Sequence, residues 1–155
     1  MSLIILHAAT SDHIADAREL FSEYASSLDV DLCFQGFERE LTELPGEYSE
    51  PEGCILLAFL ESAHVGSVAL RPLTSVICEM KRMYVRPAFR GHGIGLALAK
   101  EVIIEARKRG YKKMRLDSLP TMKEAQALYR SLGFREIGPY RLNPVRGALF
   151  MELEL

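Results

Sequence analysis

The sequence predicts an α+β fold: a mixed, mostly antiparallel sheet with one parallel crossover. Three observations carry this expectation. Three β-rich apolar runs, at 54–60, 65–70 and 76–85, follow one another with only short turns between, the pattern of an antiparallel meander. Directly after the third run the period changes from two to that of a helix. A further strand candidate at 112–116 then closes a strand–helix–strand crossover over 76–116, which is a parallel connection. At 155 residues, one domain spanning 1–155 is expected.

The elements follow in order. Residues 3–8 form a short apolar run, and Thr10, Ser11 and Asp12 then supply N-cap chemistry. Ile14, Ala17, Phe21, Tyr24 and Leu28 lie at helical spacing behind that cap. Phe34, Phe37, Leu41 and Leu44 predict a shorter second helix that ends before Pro45. The stretch 45–53 holds two prolines and two glycines and reads as an exposed loop. After the three strand runs, Ile94, Leu98, Val102 and Ala106 form the stripe of a helix packed on a sheet, with Lys108 and Arg109 in its last turn and Gly110 at the stop. Thr121 and Glu124 have capping-box spacing, ahead of Ala125, Leu128, Tyr129 and Leu132 on one helical face. Two final strands are expected at 134–137 and 148–153, joined by a loop; the last of them, if left exposed, can pair with a second copy, so a monomer or a homodimer is expected.

Composition excludes several classes. A chain 48% hydrophobic and 26% charged is not a disordered tail. Its longest apolar run is seven residues, against the roughly 20 of a membrane helix, and residues 1–7 lack the basic region of a signal peptide. No membrane partner is expected. Cys33, Cys54 and Cys78 are odd in number and form no CxxC, which argues against a disulfide framework or zinc site and for a reducing, cytoplasmic compartment. His7, His13, His64 and His92 are scattered and suggest no metal set. The basic run 107–115 spans a helix end, a turn and an alternating strand, so a solvated surface is expected and no nucleic acid.

The net charge of −2 conceals a division. Residues 1–62 carry 13 acids against Arg18 and Arg39, a balance of −11, and residues 63–155 carry +9.

Chemistry is expected where the crossover turns. Arg90-Gly91-His92-Gly93-Ile94-Gly95 lies between a strand and a helix, where glycines keep side chains away and backbone N–H groups converge on an anion. Leu96 and Leu98 stand where a dinucleotide fingerprint needs its third glycine, and no Gly-Lys-Ser/Thr follows as a P-loop requires.

The pattern Arg-x-x-Gly-x-Gly at 90–95 is similar to the acyl-CoA signature of the GNAT N-acetyltransferase superfamily. The strand 80–87 before it resembles that family's splayed fourth strand. Ala125-Gln126-Ala127-Leu128-Tyr129 with Gly133-Phe134 resembles its A-x-x-L-Y-x-x-x-G-F segment. Order and spacing match over 54–137.

The resemblance implies a three-layer fold with a splayed cofactor-binding strand and an acetyl-CoA-dependent N-acyltransferase. Backbone groups of Met83, Tyr84 and Val85 would pair with the pantetheine arm of acetyl-CoA. Amides of Gly91, His92, Gly93, Ile94, Gly95 and Leu96, with Arg90 ahead of them, would hold the pyrophosphate. Tyr129 would protonate the leaving thiolate. Met122 stands where many members have an asparagine. Glu79, eleven residues before Arg90, has the offset of the base glutamate of histone-modifying relatives; pairing with Lys81 along the same face is its structural alternative. The acceptor is expected to be a primary amine of a small molecule or a protein. The acidic half, with Glu43, Glu47, Glu50 and Glu52 clustered, would favour a cationic one by steering. No metal is expected. A chain that kept the binding turn and lost the chemistry would instead be a non-catalytic acyl-CoA sensor.

Overall fold

The computed structural model describes residues 2–28, 31–32 and 36–155. In chain order the elements are β1 (Leu3–His7), α1 (Ser11–Ser26), α2 (Phe37–Glu43), β2 (Cys54–Leu60), β3 (Ala63–Pro72), β4 (Ile77–Val85), α3 (Ile94–Lys108), β5 (Lys113–Ser118), α4 (Lys123–Ser131), β6 (Arg135–Ile137) and β7 (Leu149–Glu154). They build one seven-stranded sheet in the order β1-β2-β3-β4-β5-β7-β6. β2, β3 and β4 are the expected antiparallel meander, and β4 and β5 are the parallel pair.

Strand alternation makes the layers. On β2, Cys54, Leu56, Ala58 and Leu60 enter a core under α3 and α4, while Ile55, Leu57 and Phe59 enter a second core under α1 and α2. Both faces of the sheet are therefore covered. The Thr10 hydroxyl accepts from the His13 N–H at 3.1 Å and caps α1 as its sequence predicts.

β4 carries a bulge. Tyr84 pairs with Ser67 and Lys81 with Ala69, so Arg82 and Met83 together face Val68, and Arg82 has φ 58. The extra residue exchanges the faces: Cys78 and Met80 join the α3/α4 core before the bulge, Met83 and Val85 after it. Tyr84 and Glu79 point the other way.

Three expectations change, and a fourth is met only in part among the described residues. The 45–53 stretch is not simply exposed: Gly46–Tyr48 is a short 3-10 turn that buries Tyr48, edge-on to Phe21 at 6.1 Å, because the ring fills the gap between α1 and the sheet. α4 starts at Lys123 with Met122 as its unassisted N-cap, so the Thr121 and Glu124 pair forms no capping box; the Met122 N–H is already turned back to the Leu119 carbonyl at 3.0 Å, displacing the start by one residue. The final strand β7 is interior, hydrogen-bonded to β5 and β6 on its two sides, and has no free edge. The second helix begins at Phe37; Phe34 lies outside the described residues, as does Cys33.

Candidate active site

β4 and β5 stay hydrogen-bonded only where Ile77, Cys78 and Glu79 face Lys113, Met114 and Arg115. Beyond that point β4 runs on to Val85 and β5 to Ser118 with no ladder between them. This wedge opens a cavity of about 730 Å³. Met83, Tyr84 and Val85 line it from β4, Arg90, Gly91, Gly93, Ile94 and Gly95 from the turn, and Met122, Ala125 and Leu128 from α4. Eight of the ten residues expected to bind cofactor thus meet in one space. His92 and Leu96 do not line it; both are exposed at the start of α3.

The turn owes its shape to glycine. Gly91 (φ 84) and Gly93 (φ 78) occupy the left-handed region, and a Cβ at either would meet nothing within 4 Å. Backbone conformation, not space, demands them there. The Ala97 N–H bonds the Gly93 carbonyl at 3.0 Å, so the N–H groups of Ile94, Gly95 and Leu96 precede the helical ladder. Orphan donors at the positive end of a helix dipole fit a pyrophosphate, and the unpaired edge of β4 fits an extended polar arm. The Arg90 Nε donates to the Val85 carbonyl at 2.9 Å and its guanidinium lies 5.8 Å from the Tyr84 ring centroid, locking strand to turn.

A second cavity of about 60 Å³ adjoins the first, sharing Tyr24, Leu28, Met83, Leu119, Met122 and Ala125 with it. Tyr129 lines this smaller space, with Lys81, Asp117 and Asn143. Tyr129 is 7% exposed and its ring packs against that of Phe134 at a tilt of 56°, centroids 5.6 Å apart. Burial pushes its phenol up, so it stays protonated at neutral pH. Asp117 accepts from the Asn143 amide at 3.1 Å. Sequence reasoning missed Asp117 and Asn143. Their separation by 26 residues and an irregular loop left no periodic signal.

Glu79 is fully buried. Arg71 donates to it at 2.8 Å and Arg141 at 3.1 Å, and the Tyr140 hydroxyl donates as well. Burial alone would raise its pKa. The Lys81 and Arg71 charges, the Tyr140 hydrogen bond and Arg141 outweigh burial and hold the carboxyl below its usual range. Lys81 attracts it without a hydrogen bond: its Nζ is buried with no hydrogen-bond partner among the described residues.

Part of the divided charge is paired across the fold. Glu40 pairs with Arg82, Glu47 with Arg71, Glu50 with Arg109, and Glu19 and Glu23 with Arg86. Each pair joins an acid of the first 62 residues to a base of the rest, so most of the expected acidic rim is already neutralised. Glu43 pairs with Arg39. In the basic run, Lys108 and Arg109 pair with Glu105, and Lys113 and Arg115 with Glu152.

Cys54 and Cys78 are free and buried, and burial pushes both thiols up to about 12. Among the described residues, His7, Cys54 and Glu105 bring ligand-type atoms within 4.8 Å of one another. Arg109 already holds Glu105 there, and none of the three lines either cavity. No helix among the described residues is long and apolar enough to cross a membrane.

The family model described as "Acetyltransferase (GNAT) family" matches residues 14–134. An uncharacterized N-acetyltransferase of Schizosaccharomyces pombe is 40% identical over 142 residues, covering 90% of this chain and 87% of the relative. Among solved structures, an acetyltransferase of Streptococcus agalactiae superposes with TM-score 0.81 at 20% identity, over 99% of this chain and 98% of that one. A GNAT family acetyltransferase of Elizabethkingia anophelis with acetyl-CoA bound superposes with TM-score 0.72 at 22% identity, over 99% and 98%.

Proposed function

Because the chain belongs to the GNAT acetyltransferase family, we propose that it transfers an acetyl group from acetyl-CoA to the primary amine of a small acceptor, acting as one domain over residues 1–155. The observation that carries this reading is the wedge between β4 and β5, where the glycine turn and the free strand edge face one cavity of about 730 Å³. The backbone of Met83, Tyr84 and Val85 holds the pantetheine arm. The amides from Gly91 to Leu96, with Arg90 bracing the turn, hold the pyrophosphate. The bound thioester supplies the activated acetyl group.

In the transfer, the acceptor nitrogen bonds to the thioester carbon and the carbon–sulfur bond breaks. The sulfur takes a proton from Tyr129, whose raised pKa keeps that proton available. The acceptor nitrogen gives up two protons: one from the ammonium before attack, and one as the carbon–sulfur bond breaks, which restores the Tyr129 phenol. Every hydrogen bond to Glu79 favours its charged form, which makes it a weak proton acceptor and a strong anchor. In this reading Glu79 holds Arg71 and the β6–β7 loop in place, and Asp117, which shares the smaller cavity with Tyr129, takes the ammonium proton. The free thiols of Cys54 and Cys78 fit a reducing, cytoplasmic setting.

The test is release of CoA thiol when acetyl-CoA and a panel of primary amines are supplied. A non-catalytic sensor would bind acetyl-CoA and release none. On an accepted amine, Asp117→Asn is expected to lower kcat by on the order of 10²-fold or more. If Glu79→Gln lowers kcat by that much and Asp117→Asn leaves it unchanged, the assignment of the base reverses.

A further inference from the structure

Lys81 presents a buried charge that the transfer chemistry does not use. It is 6% exposed and its Nζ has no hydrogen-bond partner among the described residues. Taking an ammonium out of water costs several kcal/mol unless a counter-charge and hydrogen bonds offset it. Glu79 lies two positions away on the same strand, but Arg71, Arg141 and Tyr140 occupy its oxygens. Arg82, next along the bulge, is committed to Glu40. The remaining anion of the cavity, Asp117, makes no hydrogen bond to Lys81.

A cation and an anion that line one space without joining are complementary to a zwitterion. The space is about 60 Å³, several times the roughly 10–15 Å³ that one water needs in a cavity, and it opens beside the larger cavity through shared walls. Its other walls include Leu28, Leu32, Met80 and Leu116. A small polar head group fits such a place; a long cationic chain would set its second ammonium against Lys81. Burial lowers Lys81 to about 8, with Glu79 opposing the shift, so it remains mostly charged at neutral pH.

Resting on the acetyltransferase reading above, we propose that the acceptor is an amine that also carries a carboxylate, an amino acid, and that its carboxylate binds Lys81 Nζ while its amino group lies toward Asp117. This reverses the preference for a cationic acceptor that the acidic half of the sequence suggests. Lys81 is then the residue that selects the substrate class.

The experiment compares matched sets with the full chain and acetyl-CoA, two triples and one pair: alanine, alaninamide and ethylamine; phenylalanine, phenylalaninamide and phenethylamine; aspartate and its diamide; with putrescine and spermidine alongside. CoA thiol release is the readout. The carboxylate member of at least one set is expected to have a kcat/KM about 10- to 100-fold above its amide, the size of a charge-assisted hydrogen bond. Lys81→Met is expected to collapse that ratio toward one by raising KM for the carboxylate member, and Lys81→Arg to restore part of it. Acetyl-CoA affinity, measured by calorimetry, checks that the variants are folded; should Lys81→Met fail to fold, Lys81→Gln replaces it, and the wild-type ratios stand by themselves. Equal rates for acids and amides, preference for the polyamines, or no turnover of any carboxylate by a protein that binds acetyl-CoA overturns the proposal. Failure to bind acetyl-CoA at all instead removes the acetyltransferase reading, and the proposal with it.

Discussion

Tyr140 donates its phenol hydrogen to the carboxylate of Glu79, 61 residues away along the chain. With Arg141 on the same carboxylate at 3.1 Å, this contact ties the loop between β6 and β7 to the middle of β4. Tyr140→Phe removes one hydrogen bond to a buried charge, worth about 1.5–3 kcal/mol. The expected result is a lower unfolding free energy and a higher KM for the acceptor. The Kd for acetyl-CoA should stay unchanged, because no residue of that loop lines the larger cavity. Calorimetry and initial rates read these separately.

Glu79 should leave a signature in acid. Its folded-state pKa is depressed below the ordinary carboxyl value of 4.5, so its stabilisation is fully present above that value and is lost as pH falls through the depressed one. Glu79→Gln leaves Arg71 and Arg141 facing an uncharged amide and should cost about 3–5 kcal/mol near neutrality. Denaturant unfolding at a series of pH values should show this gap closing below pH 4.5 and constant above it. A gap that does not narrow at all below pH 4.5 would contradict the assignment.

Tyr129→Phe keeps the ring packed on Phe134 and removes the proton. The expected effect is a fall in kcat on the order of 10²-fold with little change in the Kd for acetyl-CoA or in stability. A fall in affinity with kcat intact would make Tyr129 a packing residue instead.

Gly93→Ala tests the turn. A side chain there finds open space but must hold φ 78, a strain of about 1–2 kcal/mol. Acetyl-CoA should bind about tenfold more weakly, while Gly138→Ala, where φ is not positive and no atom lies within 4 Å of the added Cβ, should bind normally.

Much of the fold was legible in the chain. The β-rich apolar run 54–60 marked a strand, and the stripe from Ile94 to Ala106 marked the helix of the crossover, because such patterns belong to a strand and a helix before anything packs on them. The glycine turn was legible for the same reason, since Gly91 and Gly93 declare a backbone conformation that other residues avoid. Tyr48, the interior place of β7 and the missing cap at Thr121 were not legible: each depends on what a residue meets across the fold.

The same boundary divides the site. By itself the sequence determined the crossover, the glycine turn and a division of charge at residue 62, and its resemblance to a family pointed to Tyr129. Tertiary structure decided what the charges do. It paired Glu19, Glu23, Glu40, Glu47 and Glu50 of the first half with Arg71, Arg82, Arg86 and Arg109, closed Glu79 in a cage of donors, and left Lys81 and Asp117 beside one small cavity. Periodicity records which face a side chain takes. The partner waiting on that face comes from a distant part of the chain, and charge acts across space rather than along sequence.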